Sequence, residues 1–115
     1  RLTAFDIVTN GKLENRRLWG KLPNGTAPDG ICLDAEGAIW VASPPTNECL
    51  RLAEGGEVLE RVLVDQGAYA CMIGGQDIPL LFILTSPSSA PEECRVLRGG
   101  RVETIPVSAT GAGCP

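Results

Sequence analysis

The feature that most limits what this chain can fold into is an internal repetition with a step of about 40–45 residues. Ile31 matches Cys71, Trp40 matches Phe82, Glu48-Cys49 matches Glu93-Cys94 and Gly55-Gly56 matches Gly99-Gly100, at offsets of 40, 42, 45 and 44. Asn10-Gly11 lies a further 45 residues before Gly55-Gly56. Each unit holds several short apolar runs separated by turn residues, and about 40–45 residues with four short strands is the period of a β-propeller blade. A chain with this pattern folds as radial antiparallel sheets, each unable to bury its faces alone.

Taken in order, Leu2–Val8 and Leu13–Trp19 are two strand arms around the Asn10-Gly11 hairpin turn. A polar connection, Lys21–Ala27, leads to Pro28-Asp29-Gly30, and the strands Ile31–Leu33 and Ala38–Ala42 flank the turn Asp34-Ala35-Glu36-Gly37. Pro44-Pro45-Thr46-Asn47 interrupts, and Glu48–Leu52 and Val58–Val64 follow around Gly55-Gly56. Cys71-Met72-Ile73 and Leu80–Thr85 repeat the order, ahead of a breaking loop at Pro87–Pro91. Counted in blades, residues 1–22 end one, 27–66 make a full one, 68–107 an incomplete last one, and 108–115 a tail. The expected fold is all-β, about two and a half four-stranded antiparallel blades. A propeller closes with at least about four, so the expectation is a portion of a larger ring, or a half that assembles with a complement.

Fourteen Gly and nine Pro spread between apolar runs support many short elements, and long helices are hard to place. The net charge of −4 and pI near 4.7 oppose a nucleic-acid partner. No run approaches the ~20 apolar residues of a membrane span, and no secretory leader pattern opens the chain. The five cysteines are far apart with no C-x-x-C pair, which favours buried thiols in a reducing compartment over disulfides or zinc. A soluble, cytoplasmic protein with no membrane partner is expected.

With no histidine, a Ser-His-Asp triad and an H-E-x-x-H zinc helix are excluded. Neither G-x-x-x-x-G-K-[ST] nor G-x-S-x-G occurs, so carboxylate chemistry remains. Asp29 stands at a strand entrance, although Pro-Asp-Gly by itself reads as a plain turn. Asp34 and Glu36 read as a solvated hairpin turn, Trp40 and Phe82 as core, and Glu92-Glu93 as a solubilising pair. Tyr69, which holds in the last unit the place of Asp29 in the previous one, reads as a bland rim residue or as part of a channel rim. Cys71 has no basic neighbour to activate it.

The run Pro-Asp-Gly-Ile-Cys-Leu-Asp-Ala-Glu-Gly-Ala-Ile-Trp-Val-Ala at 28–42 closely resembles the signature of the gluconolactonase family, also called the regucalcin or senescence-marker-protein family. Leu2-Thr3-Ala4-Phe5-Asp6, Asn15-Arg16-Arg17, Cys71-Met72-Ile73-Gly74-Gly75 and Gly111-Ala112-Gly113 resemble further landmarks of it in the same order. The resemblance covers nearly the whole chain but only the C-terminal part of a family member. It implies a six-bladed ring whose last blade is completed by an N-terminal strand absent here. It makes Glu92–Arg98 a loop and Arg101–Val107 a third strand, whereas repetition alone makes them a hairpin.

The resemblance also implies a metal-dependent sugar-lactone hydrolase in which the aspartate of this motif, here Asp29, binds the divalent cation and acts as acid/base. Ca²⁺ is the expected ion, with Zn²⁺, Mg²⁺ or Mn²⁺ as alternatives, and the partner is a small-molecule lactone. The family's other ligands, a glutamate and an asparagine, and its substrate-contacting arginine lie upstream of anything present, so the substrate-binding residues stay unknown. Little hydrolase activity is expected of these 115 residues alone. Two alternatives stay open: a non-catalytic half-propeller that self-associates or pairs with another chain, and a related propeller esterase or phosphotriesterase.

Overall fold

The computed structural model describes residues 1–113; Cys114 and the end of the tail lie outside the described residues. Nine strands form three antiparallel sheets in chain order. The first holds β1 (Leu2–Ile7) and β2 (Leu13–Gly20). The middle sheet holds β3 (Ile31–Leu33), β4 (Ile39–Ser43), β5 (Glu48–Leu52) and β6 (Val58–Leu63). The last holds β7 (Gly67–Gly74), β8 (Leu80–Ser86) and β9 (Arg101–Pro106).

A short helix, α1 (Pro91–Leu97), joins β8 to β9, which corrects both sequence expectations for Glu92–Arg98. Pro91 occupies the first turn, where its missing N–H costs nothing, and Glu92 and Glu93 face the positive end of the helix dipole. Arg95 pairs with Glu92 at 2.7 Å, and Arg98 ends the helix in the left-handed conformation. Beyond it, β9 pairs with β8, Phe82 opposite Thr104 and Leu84 opposite Val102, as the family resemblance implied for a third strand.

The sheets stack through alternating strand faces. On β4, Val41 points back to the first sheet, where Leu2 and Trp19 join it with Leu50 and Leu52. Trp40 and Ala42 point forward, where with Cys32 and Cys49 they pack on Ala68, Cys71, Leu81 and Ile83 of the last sheet. Burying one such Leu contributes about 1.5–3 kcal/mol, so the joints supply most of the cohesion. At the first joint Gly55 bridges to Gly20, and a Cβ on Gly56 would lie 2.4 Å from the Lys21 carbonyl oxygen. Only glycine allows that approach. The tail returns from the last sheet to the end of β3, with Ala35 N–H donating to Thr110 O at 2.8 Å and Ala112 N–H to Leu33 O at 3.1 Å.

The repeat step explains which apolar residues stay uncovered. Leu50 and Leu52 are 0% exposed, whereas Phe5 and Ile7, 45 residues earlier on the equivalent face, are 41% and 77% exposed. Trp40 is fully buried under the last sheet, while its repeat partner Phe82 is only half-buried because no sheet follows. Core packing is thus borne out for Trp40 and only in part for Phe82.

Asp34 is the second correction. Its side chain is buried: Oδ1 accepts from the N–H groups of Glu36 (2.9 Å) and Ala38 (3.0 Å), and Oδ2 from Arg51 Nε at 2.8 Å. Arg51 also pairs with Glu36 at 2.6 Å and Glu60 at 3.0 Å, so one guanidinium ties the β3–β4 turn to β5 and β6. The Glu36 hydrogen bond, then the Asp34 bond and charge, raise the Arg51 pKa against the opposing effect of burial. Arg51→Ala strands a buried carboxylate, and urea denaturation should show a loss of about 3–5 kcal/mol. A loss within experimental error would mean that Asp34 is solvated.

Candidate functional site

Asp29 owes its position to backbone bonds on two sides. Its N–H donates to Ala42 O at 3.0 Å and Ala42 N–H donates to Gly30 O at 2.9 Å, which extends the β3–β4 ladder past the formal start of β3. Gly30 N–H crosses to the last sheet and donates to Tyr69 O at 2.8 Å. A Cβ on Gly30 would lie 2.6 Å from Ala70 Cα and 2.9 Å from Tyr69 O, so this crossing needs glycine for space, not for its dihedral angles. Upstream, Ser43 Oγ accepts from Ala27 N–H at 3.3 Å and from the Thr46 hydroxyl at 2.7 Å, which ties the approach loop to the 3₁₀ turn Pro44–Thr46.

The carboxylate of Asp29 is exposed and lines an open pocket of about 470 Å³ with Ala27, Pro28, Pro44, Pro45, Tyr69 and Ser89. Three prolines make the wall stiff. Tyr69 is half-buried opposite Asp29, and its ring also lines an adjoining recess with Ser86, Ser88 and Cys94. Sequence reasoning placed Tyr69 on a rim without joining it to Asp29; its position 40 residues on was the signal available. Ser89 gave no signal, because a Ser-Pro loop carries no pattern that fixes its direction.

Among the residues lining this pocket Asp29 is the only carboxylate, and no group of three or more His, Cys, Asp or Glu among the described residues could hold a metal ion. A calcium ion takes six to eight oxygens. The donors present therefore do not fit a complete cation site, and Asp29 can serve only as one ligand of a larger set. Glu92 and Glu93 lie on the exposed helix α1 and do not line the pocket.

The thiols form a separate group. Cys32, Cys49 and Cys71 are buried and free at the joint between the middle and last sheets, whereas Cys94 is exposed, against the expectation of buried thiols throughout. The hydrogen bond to Cys71, followed by burial, raises the Cys32 pKa. Cys32 acts to lower that of Cys71, but contact with Cys49 and burial outweigh it and push Cys71 up to about 12. These thiols are packing groups and not nucleophiles, in line with the sequence reading of Cys71.

The profile of the SMP-30/Gluconolactonase/LRE-like region matches residues 1–87. Chicken (Gallus gallus) regucalcin is 33% identical over 94 residues, which cover 78% of this chain and 31% of that protein. Bovine (Bos taurus) regucalcin is 37% identical over 84 residues, covering 70% and 28%. The chain thus spans about a third of the length of these relatives. The solved structure of a luciferin-regenerating enzyme superposes with a TM-score of 0.73 at 19% identity, over 95% of this chain and 38% of that one. At that identity the match speaks for fold alone, and it agrees with the all-β propeller portion expected from the repeat. Among the described residues no helix is long and apolar enough to cross a membrane.

Two outcomes follow from the geometry. Gly30→Ala should lower the thermal midpoint by several degrees, since overpacking of this kind costs about 1–3 kcal/mol; an unchanged midpoint would mean that the two sheets do not meet at Gly30. Alkylation of the native chain at pH 8 followed by peptide mass mapping should label Cys94 while Cys32, Cys49 and Cys71 react only after denaturation. Native labelling of Cys71 as fast as Cys94 would contradict its burial.

Proposed function

The chain belongs to the SMP-30/gluconolactonase/LRE-like family, and on that footing we propose that it is the Asp29-bearing portion of a β-propeller sugar-lactone hydrolase. The blades are assigned as residues 1–22, 27–66 and 68–107, with the rest of the ring supplied by polypeptide outside these 115 residues. The observation that carries the reading is the projection of Asp29, alone among carboxylates, into an open pocket by backbone bonds to Ala42 and Tyr69.

Lactone hydrolysis needs a water deprotonated as it attacks the carbonyl carbon, and a proton delivered to the ring oxygen as the C–O bond breaks. A carboxylate at the pocket wall can accept the first proton and return it to the leaving oxygen. Asp29 is assigned that exchange, and Tyr69 and the proline wall restrict how a ring-shaped substrate can lie against it. Asp29 is also assigned as one ligand of a divalent ion, Ca²⁺ before Zn²⁺, Mg²⁺ or Mn²⁺, in the complete ring. The other ligands lie outside this chain, and no step is assigned to the ion here. Buried free thiols fit a reducing, cytoplasmic setting.

Titration of isotope-labelled chain with Mn²⁺ tests the assignment without depending on turnover. Amide signals of Asp29, Gly30 and Tyr69 should broaden first, and Asp29→Ala should abolish that broadening. Equal broadening in the variant, or broadening centred on Glu92 and Glu93, would remove Asp29 as a ligand. In an aldonolactone-opening assay any rate above buffer should fall by about 10²-fold or more in Asp29→Asn; undiminished opening in the variant would end the acid/base role.

A further inference from the structure

We propose that the forward face of the last sheet docks on the backward face of the first sheet of a second copy of this chain, so that two copies close head-to-tail into a ring of six sheets. This goes beyond the lactone-hydrolase reading and does not rest on it.

The joint in question already occurs twice within the chain. Leu2 and Trp19 on the forward face of the first sheet meet Val41, Leu50 and Leu52 on the backward face of the middle one. Cys32, Trp40 and Ala42 on the forward face of the middle sheet meet Cys71, Leu81 and Ile83 on the backward face of the last. The forward face of the last sheet carries the repeat counterparts of Cys32 and Trp40. These are Met72 and Phe82, 40 and 42 residues on, and Met72 stands opposite Phe82 as Cys32 stands opposite Trp40.

This face is apolar and open. Met72 is 42% exposed, Leu84 45% and Val102 67%, and Phe82 pairs across to the uncharged Thr104. At the other end Phe5 and Ile7 are the repeat counterparts of Leu50 and Leu52, which are buried wherever a sheet precedes them. Strand alternation puts Thr3 on the same side, with Leu18 opposite it and 52% exposed. One end thus presents the kind of surface that the other end is built to receive.

A front-to-back joint is heterologous, and such joints either close into a ring or propagate as a fibre. Each copy brings three sheets. Two copies bring six, a number within the range at which propellers close, whereas one copy is below it. Closure of the pair leaves neither apolar end facing water, and an open polymer always leaves two.

The test uses the heterologous character of the joint. Ile7→Glu disables only the backward face and Leu84→Glu only the forward face, both at positions already exposed in the single chain, so folding is not at stake. Sedimentation equilibrium at about 0.1 mM, a concentration at which a micromolar joint is saturated, should give the parent twice the 12.1 kDa chain mass. Each variant alone should sediment as a single chain, because a damaged joint opens the ring. Mixed in equal amounts they should recover a two-chain species, since the intact forward face of Ile7→Glu meets the intact backward face of Leu84→Glu. A parent that stays single would overturn the proposal and leave both faces to another polypeptide. So would variants that still pair alone, a mixture that stays single, or a parent that forms open polymers instead of a two-chain species.

Discussion

Stacking of sheet upon sheet is the constraint on which the rest of this structure depends. A twisted sheet of four short strands with apolar residues on both faces has no stable existence in water by itself, because each face needs a neighbour. The middle sheet has two, and its residues Trp40, Val41, Ala42, Cys49, Leu50 and Leu52 are all fully buried. The outer sheets have one each, and their apolar residues divide accordingly between buried and exposed. The same side-chain types in the same strand positions thus differ in burial solely through position in the row.

Polar groups lock what the apolar joints assemble. Arg51 reaches the β3–β4 turn and the adjoining strand together, and Asp34 returns the favour with a carboxylate whose lone pairs are taken by two backbone donors and one guanidinium. That arrangement stiffens the far end of β3–β4, and the ladder bonds of Asp29 and Gly30 to Ala42 fix the near end. The single link from Gly30 to Tyr69 then sets the distance between two loops that belong to different sheets. Substrate-facing geometry in such a molecule is a consequence of sheet packing, since neither loop holds its place through side-chain bonds of its own.

Much of this was legible in the sequence because strands announce themselves by alternation and by turn residues. Asn10-Gly11, Asp34–Gly37 and Gly55-Gly56 all fall between strands. The helix at Pro91–Leu97 was not legible, since seven residues are too few for a periodicity and Pro91, read as a breaker, is the residue that starts the helix. Asp34 was misread because D-x-x-G is ordinary turn chemistry and its partner Arg51 stands 17 residues away, brought near only by strand pairing. The candidate site was half legible. Asp29 could be named from its motif, but its proximity to Tyr69 and Ser89 depends on how one sheet is rotated on the next, which no local pattern encodes.

The incomplete donor set around Asp29 follows from the same architecture. Pro28-Asp29 opens the middle sheet and Ala68-Tyr69 opens the last, 40 residues apart, and both deliver side chains to one end of the stack. When every unit places a single loop at that end, a site there is a union of about one residue per unit, and a cation needing six to eight oxygens must draw on several. A row of three sheets can therefore hold a correctly oriented carboxylate without holding a metal site. The geometry of each contribution is fixed within its own pair of sheets, and its chemistry is completed only by the sheets that finish the ring.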